Sequence, residues 1–174
     1  MGRGRFVGDI QIQGLQEVAF LRSPIAHGHI RSLAKPQGQE AAVFFWSDMA
    51  SAVTPIITRS TMPGYKLSSY HPLAHEKVRY VGEALAMCVA ASRAEAEDLT
   101  EAVTFDIEEL PAVTDSEAGK AADSALVHEE WGDNLCLVTN FDSGIDEVAK
   151  TAPVKVVREY RTARQCMHPM EGKG

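Results

Sequence analysis

The stretch from Val78 to Leu110 changes hydrophobic rhythm twice, and few folds accommodate such a run. Its first part, VRYVGEALAMCVAAS (78–92), draws its apolar content from Val78, Tyr80, Val81, Leu85, Met87, Val89 and Ala91, and is broken by Gly82 and Glu83. Ser92-Arg93-Ala94-Glu95 then forms a capping-box signature. In such a box the serine oxygen accepts the N–H three residues on, and the glutamate returns a bond to the serine N–H. Ala96, Leu99, Ala102 and Val103 follow at helical spacing. From Val103 to Leu110 the period falls to two, with Val103, Phe105 and Ile107 on one face and Thr104, Asp106 and Glu108 on the other. Leu110-Pro111 ends the strand, because proline supplies no ladder donor. Strand, helix and strand within about 30 residues match one βαβ unit, which predicts parallel or mixed pairing of residues 83–91 with 103–109.

The flanking sequence adds shorter elements. Val18 to Leu21 reads as a strand that stops at Arg22-Ser23-Pro24, and His29 to Leu33 as a second. Ala41 to Trp46 is an aromatic-rich run expected to be a central strand, with Ser47 or Asp48 capping a short helix after it. Residues 54–72 break into Pro55, Pro63-Gly64 and Ser68-Ser69, the pattern of a long surface excursion. Residues 115–145 are small and polar, with Gly119, Gly132 and Gly144, and a domain boundary is expected there. A short helix over Ile145 to Lys150 and an alternating strand over Val154 to Thr162 complete the pattern.

Charge and composition exclude several classes of function. A net charge of −7 with scattered basic residues lacks the footprint of a nucleic-acid binder. No apolar run approaches the roughly 20 residues of a membrane helix, so no membrane insertion is expected. The basic start Met1-Gly2-Arg3-Gly4-Arg5 is followed by no apolar h-region, which points to the cytoplasm. Cys88, Cys136 and Cys166 are too far apart for a C-x-x-C pair and read as reduced thiols.

Catalytic and metal signatures are weak. The opening glycines Gly2, Gly4 and Gly8 fall as G-x-G-x-x-x-G, which departs from the dinucleotide fingerprint. His27 with His29, spaced for one strand face, and His71 with His75, spaced for one helix face, lack a third ligand at recognisable spacing. Glu108 and Glu109 point to opposite strand faces and cannot share a proton. Ser23 has no activating histidine readable from sequence. No catalytic, cofactor-binding or metal-ligating residue is therefore assigned. The dense polar stretch from Arg161 to Gly172, which includes Gln165, His168 and Glu171, suits a ligand cavity or a domain interface equally well.

Four separated blocks carry a family resemblance: GRGRFVGDI; VAFLRSP with AHGHIRSL; EKVRYVGEALAMCVAASRAEAEDLTEAVTFDIEELPAVTD; and YRTARQCMHPMEGKG. In order, they resemble the large subunit of the molybdenum hydroxylases, the xanthine dehydrogenase, aldehyde oxidase and aerobic carbon monoxide dehydrogenase family. The resemblance implies an α+β fold, the α/β hammerhead with a mixed sheet and short helices, over residues 1–118. Residues 119–174 then resemble a linker and the truncated beginning of the molybdopterin-binding domain. The family's glycine-rich cofactor loop and active-site glutamate have no counterpart here. A molybdopterin cytosine dinucleotide is accordingly expected in the full subunit rather than in these residues, with [2Fe-2S] clusters and FAD on partner subunits.

The reaction so implied is hydroxylation or oxidation of an aldehyde, a purine or other N-heterocycle, or carbon monoxide with a water-derived oxygen. These 174 residues alone are expected to be inactive. A second reading stays open, a free-standing non-catalytic hammerhead that serves binding or assembly. Arg79 and Tyr80 form a polar, aromatic lip, and Gly82 permits a bend or a close backbone approach. With Gln165, His168 and Glu171 they are the candidate domain-interface residues. The partners so expected are the rest of the molybdenum subunit, the iron–sulfur and flavin subunits, and another copy paired through the C-terminal strand.

Overall fold

A computed structural model describes residues 4–141, 143–163, 165 and 166. In chain order its elements are β1 (Glu17–Arg22), β2 (Gly28–Ala34), β3 (Val43–Phe44), α1 (Trp46–Met49), β4 (Ile56–Thr58), β5 (Ser68–Tyr70), β6 (Lys77–Val78), β7 (Ala84–Ala90), α2 (Arg93–Ala102), β8 (Thr104–Glu109) and α3 (Ile145–Thr151). The capping box is made in both directions. Ser92 Oγ accepts the Glu95 N–H at 3.3 Å, and the Glu95 carboxylate accepts the Ser92 N–H at 3.1 Å. The helix buries Ala96 and Leu99, two of the residues at helical spacing, while Ala102 is exposed.

The three sheets run β1-β7-β3, β6-β2-β8 and β4-β5, and the strand pairs are antiparallel. The parallel pairing expected between residues 83–91 and 103–109 is therefore corrected: β7 and β8 lie in different sheets. Both edges of β7 are taken, one by β1 and the other by β3, so no ladder edge is left for β8, which pairs with β2 instead. One further expectation changes, and another gains detail. The run from Ala41 to Trp46 yields a two-residue strand at the sheet edge, because Asp48 accepts the Phe45 N–H at 2.7 Å and starts α1 directly after it. The excursion over 54–72 contains the β4–β5 hairpin, whose Ile56, Ile57 and Tyr70 are exposed.

The chain divides into two compact units, residues 15–138 and residues 1–14 with 139–174. In the first unit, β7 serves two apolar clusters. Ala86 and Cys88 join Val43, Phe45, Leu99 and Val103 in one, and Leu85 joins Ala74, Val78 and Ile107 in the other. Leu21 and Leu33 pack against both. Leu85, Ala86 and Cys88 are each 0% exposed, and burial pushes the Cys88 thiol pKa up, which keeps it inert.

Gly28 on β2 is where close approach matters. A Cβ there would stand 2.6 Å from Ile107 Cγ2 and 2.7 Å from the Glu108 carbonyl oxygen, so β2 and β8 pair this closely only without a side chain. The second unit contains α3, as expected over Ile145 to Lys150. The strand expected over Val154 to Thr162 is not formed among the described residues, where Val154, Val156, Val157 and Tyr160 are strongly exposed. An alternating pattern makes a strand only when another strand completes its hydrogen bonds.

Candidate functional site

The run that reads as one strand from Val78 onward is two strands in two sheets. β6 pairs with β2, the chain turns through Tyr80 to Glu83, and β7 begins in the other sheet. The Glu83 N–H donates to the Tyr80 carbonyl at 3.3 Å and Gly82 has φ +89°, so Gly82 sits at the turn position that requires positive φ. A Cβ on Gly82 would meet nothing within 4 Å. The close approach expected there is thus corrected: the turn needs the backbone freedom, and crowding plays no part. Ser23 and Arg22 hold the turn from outside. The Gly82 N–H donates to Ser23 O, the Ser23 N–H donates to Glu83 O, and an Arg22 guanidinium nitrogen donates to Gly82 O, each at 2.8 Å. Ser23 Oγ is engaged with the backbone of Ile25 at 2.8 and 3.0 Å, which fits a structural hydroxyl.

Around this turn polar groups converge. Glu83 is only 8% exposed, and its carboxylate accepts the Arg79 N–H at 2.6 Å. Burial pushes the Glu83 pKa up, against the lowering effect of that bond and of the Arg79 charge. Lys77, 4% exposed, ion-pairs with Glu129 and reaches the carbonyls of Leu126 and Val127 at 3.4 Å. That pairing holds the Glu129 carboxyl below its usual range. Arg79 Nε donates to the same Val127 carbonyl at 3.3 Å. The segment over residues 125–135 is therefore strapped to β6, and Asn134 fixes it by donating to Gly119 O and Ala125 O while accepting the Val127 N–H.

The Tyr80 and Tyr70 hydroxyls lie 2.8 Å apart, and burial together with this bond pushes the Tyr80 pKa upward. His71 and His75, expected to share a helix face, lie instead in the loop between β5 and β6, their rings 5.4 Å apart and both against Trp46. His71 Nδ1 is buried with no hydrogen-bond partner, and burial, His75 and Arg79 all push its pKa down. His128 stacks on Trp131 at 4.2 Å between centroids. His27, outside β2, places its Nδ1 2.7 Å from the Pro111 carbonyl. Among the described residues no group of three His, Cys, Asp or Glu side chains is placed to hold a metal ion.

Of the candidate interface residues, Arg79, Tyr80 and Gly82 come together in this turn, with Tyr80 43% exposed. Gln165 is exposed and belongs to the second unit, while His168 and Glu171 lie outside the described residues. Lys77, Glu83 and the strap were not read as site residues from the sequence, and His71 was weighed there only with His75 as a ligand pair. A glutamate inside an apolar run, directly after a glycine, was the one local signal available.

Residues 1–111 match the family model described as "Aldehyde oxidase and xanthine dehydrogenase, a/b hammerhead domain". The chain belongs to that family. The nicotine 6-hydroxylase large subunit of Paenarthrobacter nicotinovorans is 30% identical over 99% of this chain and 22% of its own length. The xanthine dehydrogenase molybdenum-binding subunit of Escherichia coli O157:H7 is 31% identical over 92% of this chain and likewise 22% of its length. The crystal structure of quinoline 2-oxidoreductase from Pseudomonas putida 86 superposes on 68% of this chain and 16% of its own, with TM-score 0.64 and 38% identity. The hammerhead chain thus spans 22% of the length of these curated relatives. Among the described residues, no helix is long and apolar enough to cross a membrane.

Proposed function

We propose that this chain is the hammerhead part of the large subunit of a molybdenum-dependent oxidoreductase, with its domain boundary near residue 118, and that it positions the catalytic remainder rather than reacting itself. The observation that carries this reading is the hammerhead match over residues 1–111 in a chain covering 22% of relatives named as large or molybdenum-binding subunits. The assembly would oxidise or hydroxylate a small substrate, an aldehyde, an N-heterocycle or carbon monoxide. Its iron–sulfur and flavin groups would sit on partner subunits in the cytoplasm. The molybdenum group and its chemistry would belong to the remainder of that subunit.

Within that assembly the Arg79–Tyr80–Gly82 turn is the docking rim. Tyr80, Val81, Tyr70 and Leu67 are exposed beside polar groups already held in place, a mixture suited to a domain interface. Residues 154–162, apolar at alternate positions and unpaired here, are a second contact, with the remainder or with another copy. The test is elemental analysis and turnover with an artificial electron acceptor for the 174-residue chain and for the complete subunit. The expected result is molybdenum and turnover only in the complete subunit; stoichiometric molybdenum with turnover in the short chain overturns the reading. Tyr80→Ala in the complete assembly is expected to weaken subunit association about tenfold, read by sedimentation. An unchanged association constant removes the rim from the proposal.

A further inference from the structure

Arg79 has bonding capacity that the fold leaves unused. Its Nε is committed to Val127 O, yet neither terminal guanidinium nitrogen bonds or ion-pairs with a described residue. Its neighbour Glu83 spends its carboxylate on the Arg79 backbone N–H instead. Arg79 also lines three cavities, of about 250, 240 and 340 Å³. The first and third share Ser69, His71, His75 and His128 with it, and the first adds the Tyr70 and Tyr80 rings. His71 Nδ1, buried and unpartnered, stands among these side chains.

We propose that the cavity at Arg79 is a binding site for a small monocarboxylate, which the guanidinium would hold through its two free nitrogens. The argument is one of geometry and charge. A guanidinium fork and a carboxylate match in plane and spacing, so two parallel charge-assisted bonds form where a single ammonium would give one. Ser69 and His71 offer further donors, and the aromatic and Val127 walls suit an apolar body. A volume of about 250 Å³ is small, which limits the ligand to something near the size of benzoate. Arg79 is the one arginine or lysine lining these cavities, and Glu83 in the first with Glu76 and Glu130 in the third oppose any anion, a dianion such as phosphate more strongly than a monoanion.

The experiment uses the 174-residue chain as it stands, with this rim uncovered, because the site shares Arg79 and Tyr80 with the docking reading. Benzoate, its uncharged isostere benzamide, and inorganic phosphate are titrated by calorimetry and by NMR of the His71 and His128 ring protons. Saturable benzoate binding that shifts those rings is expected, with benzamide and phosphate at least about tenfold weaker. Arg79→Gln is expected to weaken benzoate at least about tenfold, and Arg79→Lys to give an intermediate loss. Equal binding of benzamide, tighter binding of phosphate, or an affinity unchanged by Arg79→Gln overturns the site. Should Arg79→Gln fail to fold, the ring-proton shifts of the unsubstituted chain decide, and benzoate that moves neither histidine sinks the proposal.

Discussion

The apolar clusters beneath β7 and the polar turn that precedes it are made by consecutive residues, yet they are built on opposite principles. Under β7, Leu85, Ala86 and Cys88 bury hydrocarbon and a thiol, and the stabilisation there scales with area removed from water. At the turn, Lys77, Arg79 and Glu83 are partly or wholly buried with charged heads, and hold only because carbonyls, an N–H and an ion pair meet them. The first region gives stability, and the second gives a shaped, hydrogen-bonding surface. The difference teaches that a site can be placed by the core without drawing its energy from it.

Substitutions should separate the two regions by size of effect. Leu85→Ala removes a fully buried side chain from its cluster and is expected to lower unfolding stability by about 3 kcal/mol, measured in urea. A loss below about 1 kcal/mol would show that the cluster collapses onto the gap. Gly28→Ala comes next. Its Cβ meets backbone as well as the Ile107 side chain, so β2 and β8 must separate, at a cost of about 2 kcal/mol.

At the turn, Gly82→Ala finds open space and carries only the positive-φ strain, about 1 kcal/mol. If it costs more than Gly28→Ala, the assignment of close approach to Gly28 and of backbone freedom to Gly82 is reversed. Glu83→Gln should have the smallest effect, and one that depends on pH. Glu83 has its folded pKa raised above 4.5, so its contribution to stability is present at lower pH and is lost as pH rises through the folded value. The variant, which does not titrate, is therefore expected to gain on the parent chain between a pH below 4.5 and neutrality, followed by thermal unfolding. A difference that does not vary with pH would mean that the carboxyl is as well solvated folded as unfolded.

Legibility followed the range of the signal. α2 was readable because Ser92 and Glu95 bond to each other's backbone three residues apart, and β8 because its faces alternate locally. Arg79, Tyr80 and Gly82 stood out in the sequence for the same reason, since an aromatic and a glycine interrupt an apolar run. The strap was not, because Lys77 meets Glu129 across 52 positions and Arg79 meets Val127 across 48. Nor was the partner of β7, since period-two alternation states which face is buried but not which strand fills each edge.

What the sequence by itself determined is therefore a set of local elements and the family to which their order belongs. Capping bonds, turn glycines and hydrophobic period act between neighbours in the chain. The tertiary structure alone decided that β7 and β8 part into separate sheets, that Gly28 is the crowded glycine, and that an arginine, three histidines and a buried glutamate line one cavity. The physical reason is that edge pairing and burial of charge are settled by which distant groups remain unsatisfied once the core has closed.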